Sequence, residues 1–293
     1  MWLGVAAYGF WGLSPLFWNL VDDVAVADLL VHRILWSIPV LGLVVALQRR
    51  WAELGALLRS GHMIVISLVT AALIATNWGV WLWAVTNEQI VESSLGYFIG
   101  PLVSVLLGVI VLGERLRRLQ WIAVGIAAFG VAGMTVSVGS LPWVSLTLAI
   151  SFGLYGLVKK RPEVPAPLIS LSGEMLAVAI PAAFILGFVN QADATSFTES
   201  GPTAVFFIAT GVVTVTPLLL FAAAAKRIPL TMVGLLQYIT PSMHFILGVW
   251  VYGEELSAGR LAWFSVVWLA LGVYTYDSVT TLRTKPAQAE LLG

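Results

Sequence analysis

The sequence predicts an all-α membrane protein with ten transmembrane helices, arranged as two inverted five-helix repeats. Three observations support this fold class: the composition, the distribution of basic residues and an internal repeat. The 293 residues are 59% hydrophobic and only 10% charged, with a mean hydropathy of +0.95. Because soluble domains carry about 25% charged residues, so apolar a chain requires lipid as its solvent.

The composition also argues against several kinds of site and partner. Cysteine is absent, so neither disulfides nor thiolate metal sites are expected. The formal net charge is +0, which argues against a nucleic acid partner. The first apolar segment begins at Trp2 without a preceding basic region and is followed by further spans, so it is not expected to be a cleaved signal peptide.

Ten segments are apolar and approach the length of about 20 residues that a helix needs to cross a bilayer. The predicted spans are residues 2–20, 29–47, 63–86, 90–112, 118–138, 142–158, 167–189, 203–225, 229–252 and 260–280. Residues 48–61 place Trp51, Leu54 and Leu58 on one side and arginine on the other. This pattern predicts a short helix that lies at the membrane interface.

The basic residues lie almost entirely on one side of the predicted spans. All but two of the 15 Lys and Arg residues follow the second, fourth, sixth, eighth or tenth span. The exceptions are Arg33 and Arg260. Because cytoplasmic connections carry an excess of Lys and Arg, both termini are predicted to face the cytoplasm.

Two stretches of the chain have closely related sequences at a fixed offset. LGYFIGPLVSVLLGVIVLGERL at 95–116 corresponds to LLQYITPSMHFILGVWVYGEEL at 235–256. Such an offset indicates two copies of one structural unit, here residues 1–139 and 140–293. Since each copy holds an odd number of spans, the second must enter the membrane inverted relative to the first.

Inverted five-helix repeats are an architecture of transporters, whose site lies near the membrane midplane between the repeats. A duplicated protein that transports nothing, a channel and a non-transporting sensor are alternatives. An intramembrane enzyme would need a nucleophile with a base, or a metal cluster. The sequence has three His, no Cys, no HExxH and no Gly-x-Ser-x-Gly, so we predict no catalytic residue, no metal and no cofactor.

Several motifs resemble those of the RarD-type branch of the EamA family, within the drug/metabolite transporter superfamily. They are the 95–116 stretch with ATNW at 75–78, WAV at 83–85, LPW at 141–143, SFGLYGL at 151–157 and LQYITP at 236–241. The resemblance covers essentially the whole chain. It implies ten helices, an inverted repeat and inner-membrane transport of small organic metabolites or drugs, usually outward. Gly100 departs from the family, whose members typically carry Asn before the proline.

Ionisable side chains within membrane spans are costly and are therefore candidates for a substrate site. Glu174 is the first candidate and also the first candidate to carry a coupling proton, with His244 second. His32, Arg33 and Glu92 lie nearer the outer ends of their spans. The alternatives are snorkelling or an ion pair for Arg33, an interfacial position for Glu92 and a structural hydrogen bond to a neighbouring helix for Glu174.

The other candidates are aromatic and amide side chains. A pocket with aromatic walls and few polar groups suits flat or amphipathic organic solutes, so the expected partners are a small-molecule substrate and the lipid bilayer. Core packing or lipid contact is the alternative for each. These candidates are Trp11, Asn77, Trp81, Tyr97, Gln237 and Tyr238.

Two further features predict packing rather than binding. Glu114 and Glu254 precede the fifth and tenth spans, where a carboxylate favours the positive end of the helix that follows. The fourth span carries small residues at every fourth position, which let another helix approach closely. These are Gly96, Gly100, Ser104 and Gly108.

Overall fold

The computed structural model describes residues 1–18, 20, 26–87, 90–138, 143–192, 201–253 and 258–290. These residues form helices joined by short turns, with no strand among them. The helices are α1 Trp2–Trp18, α2 Val26–Leu47, α3 Trp51–Arg59, α4 Gly61–Thr86, α5 Ile90–Ile110, α6 Arg118–Val138, α7 Trp143–Lys160, α8 Pro167–Ala192, α9 Gly201–Ala225, α10 Leu230–Leu236, α11 Ile239–Trp250 and α12 Ala258–Glu290.

Six segments of the described chain are long and apolar enough to cross a membrane. They lie in α2, α4, α6, α8, α9 and the α10–α11 pair. Shorter apolar helical segments lie at Leu95–Ile110 in α5 and Leu261–Asp277 in α12. The protein is therefore an all-helical, multi-pass membrane protein, while the count of ten spans in two inverted repeats stays a prediction.

The short helix α3 confirms the predicted helix within residues 48–61. Leu54 and Leu57 are buried, whereas Trp51 and Leu58 are about half exposed. Leu57 packs against Gly173 of α8, where its Cδ2 atom lies 3.0 Å from the position that a Cβ would take. Helix α3 thus contacts α8, while the position of Trp51 and Leu58 at the membrane interface stays a prediction.

The principal helix contacts join residues 1–138 to residues 143–290. Helix α1 packs on α9 and α11, α2 on α8 and α9, and α4 on α7 and α8. Helix α5 packs on α7 and α10, and α6 packs on α12. The two predicted repeats are thus interleaved, and the apolar core lies largely between them.

Small residues on α5 allow close approaches to α7 and α10, as predicted. A Cβ atom on Gly96 would lie 3.1 Å from Leu148 of α7, and one on Gly108 would lie 2.9 Å from Thr231 of α10. On the facing helix, a Cβ on Gly234 would lie 2.8 Å from the carbonyl oxygen of Pro101. The backbones of α5 and α10 therefore lie almost in contact.

The turns that follow α5 and α11 share one unusual backbone conformation. Gly113 has φ of 65° and Gly253 has φ of 67°, a region that L side chains rarely adopt. The two glycines occupy equivalent positions of the internal repeat. The sequence similarity of the two stretches therefore extends to backbone geometry at this turn.

Replacing Gly113 with alanine is expected to lower the stability of the purified protein by about 1–2 kcal/mol, because a Cβ is disfavoured in the left-handed region. No neighbouring atom lies within 4 Å of that Cβ, so the effect is conformational. Gly125→Ala, on an exposed and uncrowded face of α6, serves as the control and should not destabilise. Denaturation in detergent measures both variants, and equal stabilities would contradict the turn assignment.

Candidate functional site

The helix formed by α10 and α11 is interrupted at Gln237 and Tyr238. The amide groups of these residues donate to the carbonyls of Gly234 and Leu235, at 3.0 and 3.3 Å, three residues back instead of four. Pro241 follows and has no N–H group to donate. Helix α5, by contrast, continues through Pro101. The two equivalent prolines thus have different outcomes: a break in the second repeat and a continuous helix in the first.

Side chains from three helices converge at this break. The Nε2 atom of His244 lies 3.2 Å from the carbonyl oxygen of Trp11, and its ring faces the ring of Tyr97 edge-on with centroids 6.2 Å apart. Tyr97 is 42% exposed although it lies within an apolar helix. The structure therefore brings together the predicted site residues Trp11, Tyr97 and His244.

Gln237 occupies the space that Gly100 leaves open. Its Nε2 atom donates to the Ser104 hydroxyl at 2.9 Å, and its Oε1 atom lies 3.2 Å from the position of a Cβ on Gly100. A side chain at position 100 would compete for this place. Family members typically carry Asn at the position of Gly100. In this chain the Gln237 side chain, from the facing helix, supplies a polar group at the same place.

An aromatic cluster that the site prediction missed, apart from Trp11, lies beside this group. The Trp11 ring lies 5.5 Å from Tyr8, 5.8 Å from Phe152 and 6.0 Å from Phe221 between centroids. Tyr155 stacks on Phe221 at 5.8 Å. The sequence did hold a signal for part of this cluster, because AYGFWGL at 7–13 is repeated as SFGLYGL at 151–157.

The hydroxyl of Tyr8 has no hydrogen-bond partner within the described part of the chain, although the side chain is buried. It interacts with the Gln237 side chain, but not at hydrogen-bond geometry. A buried hydroxyl without a partner costs about 1–3 kcal/mol. A water molecule or a polar group of a bound solute would remove that cost.

Arg33 and His32 lie on α2, which faces α9. The Nε atom of Arg33 donates to the Thr214 hydroxyl at 3.1 Å. Arg33 also lies within electrostatic range of Tyr97, which belongs to the convergence at the helix break. His32 is buried against Phe207, with ring centroids 4.3 Å apart.

Three other predicted residues make packing contacts. Asn77 donates from Nδ2 to the Leu148 carbonyl at 2.9 Å and to the Ser151 hydroxyl at 3.0 Å, which fixes α4 to α7. Trp81 packs on the small apolar cluster at the same helix pair. Tyr238 is fully buried and donates to the Phe98 carbonyl at 3.2 Å. The side chain of Glu92 lies outside the described residues.

Glu174 is fully buried in a closed polar network. Lys159 donates to its Oε1 atom and forms an ion pair with it. Tyr155 donates to Oε2 at 3.0 Å, and Ser170 donates to Oε1 at 2.9 Å. Every one of these partners is itself buried. This geometry supports the structural alternative for Glu174, a role in holding α8 against α7.

Glu114 caps a different helix from the one predicted. Its two carboxylate oxygens accept from the backbone N–H groups of Leu230 and Thr231, at 2.6 and 2.9 Å. The expectation that it caps α6 was wrong, because the turn at Gly113 points the side chain to the N-terminus of α10. Glu254, the equivalent residue, lies outside the described residues.

Lysine side chains strengthen the same face of the bundle. Lys160 donates to the Ile228 carbonyl at 2.6 Å and lies 3.7 Å from Glu114. Lys226 donates to the Val164 carbonyl, and partial burial lowers the pKa of its ammonium group. Together with Glu114, these contacts hold α7, α9 and α10 together at the Lys/Arg-rich side of the protein.

The fold and the polar, aromatic-walled convergence at the helix break define a multi-pass membrane transporter. Residues 1–136 match the family described as EamA-like transporter family. Protein RarD of Streptomyces exfoliatus is 43% identical, and the match covers 98% of this chain and 91% of that protein. The uncharacterized transporter YojE of Bacillus subtilis is also 43% identical, with 93% and 92% covered. The chain belongs to the EamA-like transporter family, in its RarD-type branch.

A solved crystal structure provides an independent comparison of the fold. It aligns with a TM-score of 0.70, covering 95% of this chain and 97% of the other. Since the sequence identity is 19%, the likeness concerns the fold alone.

Replacing Glu174 with glutamine is expected to destabilise the protein by about 3–5 kcal/mol, because it leaves the buried charge of Lys159 without a partner. The double variant Lys159→Met, Glu174→Gln should recover most of that loss. Denaturation of purified protein in detergent measures both. Glu163→Gln, at an exposed position, is the control. A single variant as stable as the native protein would contradict a structural role for this ion pair.

Proposed function

We propose that the protein is a secondary transporter of the inner membrane that exports small organic metabolites or drugs. It works by alternating access about a central site between two inverted five-helix repeats. The observation that carries this proposal is the convergence of Trp11 and Tyr97 from the first repeat with Gln237 and His244 from the second, at a break in a membrane helix.

The pattern of helix contacts supports the inverted repeat. If α1, α2, α4 and α5 correspond to α7, α8, α9 and α10–α11, every principal contact has a counterpart. The α1–α9 contact corresponds to α7–α4, and the α5–α7 contact corresponds to α11–α1. With α6 corresponding to α12, the contacts α2–α8, α5–α10 and α6–α12 each join two corresponding helices, so each is its own counterpart. A pseudo-two-fold relation of this kind is the basis for rocking one repeat against the other.

The lining of the central site favours a flat or amphipathic solute. The rings of Tyr8, Trp11, Phe152 and Phe221 pack on one another beside this site. The polar groups are few, and the Tyr8 hydroxyl among them has no hydrogen-bond partner within the described chain. Apolar surroundings with a few fixed polar groups match the usual composition of small-molecule sites.

Protons remain the candidate coupling ion, with His244 now before Glu174. Lys159 engages Glu174, whereas His244 is half-buried at the central site and has a single polar contact within the described chain, to the Trp11 carbonyl. A histidine in this position can exchange a proton with a solute that binds beside it.

The transporter names of the relatives agree with a protein that is not an enzyme.

The contacts of Glu114 supply the proposed cytoplasmic gate. They join the turn after α5 to the first residues of α10, hence one repeat to the other. In the proposed cycle, this contact closes the central site to the cytoplasm while Tyr97 is accessible from the opposite side. Opening to the cytoplasm requires the N-terminus of α10 to leave Glu114.

The proposed orientation is tested with single cysteines, since the native chain has none. Thr86→Cys, exposed at the end of α4, should react with an impermeant maleimide added to intact cells. Ala52→Cys, exposed on α3, should react only after the cells are permeabilised. The reverse pattern would contradict cytoplasmic termini and the inverted repeat.

Alternating access predicts opposite changes at two reporter positions when the gate is weakened. Loss of a helix cap costs about 1 kcal/mol, so Glu114→Ala should raise labelling of Thr231→Cys from the cytoplasmic side about fivefold. Labelling of Tyr97→Cys from outside should fall in the same variant. Thr231 is 3% exposed, so its labelling reports opening.

Glu53→Ala provides the matched control, because Glu53 is an exposed carboxylate on the cytoplasmic side that forms its ion pair with Arg50 within the same helix turn. It should change neither labelling rate. A rise at both reporter positions in Glu114→Ala would indicate a continuous pore, and the proposal of alternating access would then be rejected in favour of a channel.

A further inference from the structure

Arg33 is a cation within a membrane helix, and the described residues provide no acidic partner for it. Its one hydrogen bond within the described chain runs from Nε to the Thr214 hydroxyl at 3.1 Å. None of the ion pairs within the described residues includes it. A charged side chain at such a position is costly, and proteins retain one where it pairs or serves a function.

Two indole rings flank the guanidinium group. The Cζ atom of Arg33 lies 4.5 Å from the ring centroid of Trp78 and 5.6 Å from that of Trp18. Cation–π contacts of this kind attract the charge and hold the plane of the group, but they do not neutralise it. Trp18 and Trp78 therefore take part in positioning Arg33.

The backbone around Arg33 is held firmly. A Cβ atom on Gly211 would lie 2.4 Å from the carbonyl oxygen of Trp36, so α2 and α9 are in close contact beside it. Ser37 donates to the Arg33 carbonyl at 2.6 Å, and Thr214 is 1% exposed. Because Nε is bound to Thr214, the N–H groups of the two terminal nitrogens remain available. Together these two nitrogens form a forked hydrogen-bond donor.

Asp28, the nearest acidic residue along the chain, does not bind the terminal N–H groups of Arg33. Asp28 is buried one turn earlier on α2, where it interacts electrostatically with His32. Its Oδ1 atom has no hydrogen-bond partner in the described chain, and none of the ion pairs among the described residues joins Asp28 to Arg33. Tyr97, at the central site, lies within electrostatic range of Arg33.

We propose that Arg33 binds the carboxylate of the substrate, and that the substrate is an aromatic or similarly flat organic acid. A planar guanidinium presents two parallel N–H donors that match the two oxygens of a carboxylate. The aromatic cluster at Trp11 receives the apolar body of the same molecule. This assignment rests on the proposed transport function. It adds that the transported substrate carries a negative charge.

The test compares two probes of the same shape and different charge, phenylacetate and phenylacetamide. Each is titrated into the purified native protein in detergent, and the thermal denaturation temperature is followed. The carboxylate should stabilise the protein at concentrations at least tenfold lower than the amide. Arg33→Gln should remove this preference, and Arg59→Gln, which changes an exposed arginine at the end of α3, should retain it.

Arg33→Lys keeps the charge without the fork and provides a second variant if Arg33→Gln does not fold. It should bind the carboxylate about tenfold more weakly than the native protein does, since a bidentate pair becomes a single contact. An unchanged affinity in Arg33→Lys would contradict the forked geometry.

Several results would overturn the assignment. They are equal stabilisation by acid and amide, no stabilisation by either, and a preference that survives in Arg33→Gln. The same stabilisation by chloride or inorganic phosphate would identify a site for inorganic or headgroup anions instead. Because binding is measured without transport, each of these results leaves the alternating-access proposal intact, and failure of the Glu114 experiment leaves the Arg33 assignment intact.

Discussion

The close approach of α5 to α10 is the contact on which the arrangement of the site depends. Glycine at positions 108 and 234 lets the two backbones meet where larger residues would separate them. That spacing places the Glu114 carboxylate on the first amides of α10 and the Gln237 carboxamide on Ser104. One packing contact thus places both the Glu114 carboxylate at the Lys/Arg-rich face and the Gln237 carboxamide beside the helix break.

The break between α10 and α11 is possible because protein surrounds it. In hydrocarbon, a backbone group without a hydrogen bond costs several kcal/mol, so irregular backbone occurs only where it is buried in protein or lines a cavity. Here the Thr240 hydroxyl donates to the Tyr8 carbonyl, and Tyr238 donates to the Phe98 carbonyl. Helices α1 and α5 therefore enclose the interruption and fix its side chains in place.

Composition and periodicity predicted the helical membrane fold, because hydropathy reports directly on which residues contact lipid. They also identified Trp11, Tyr97 and His244, which the structure brings together. The partners of the charged residues could not be read in the same way. Glu174 meets a lysine that the charge pattern had counted with a cytoplasmic connection. Glu114 caps a helix that begins 116 residues later, whereas rules for helix ends consider only local sequence.

The interleaving of the helices has a consequence for how the chain is made. Helices α1, α2, α4, α5 and α6 find their principal partners among helices that the ribosome synthesises later. The early helices must therefore remain in the bilayer, inserted but only loosely associated, until their partner helices have been synthesised. Arg33 and the buried face of α5 are exposed to lipid or to the insertion machinery during that interval. Substitutions on these faces are therefore expected to affect biogenesis as well as the stability of the finished bundle.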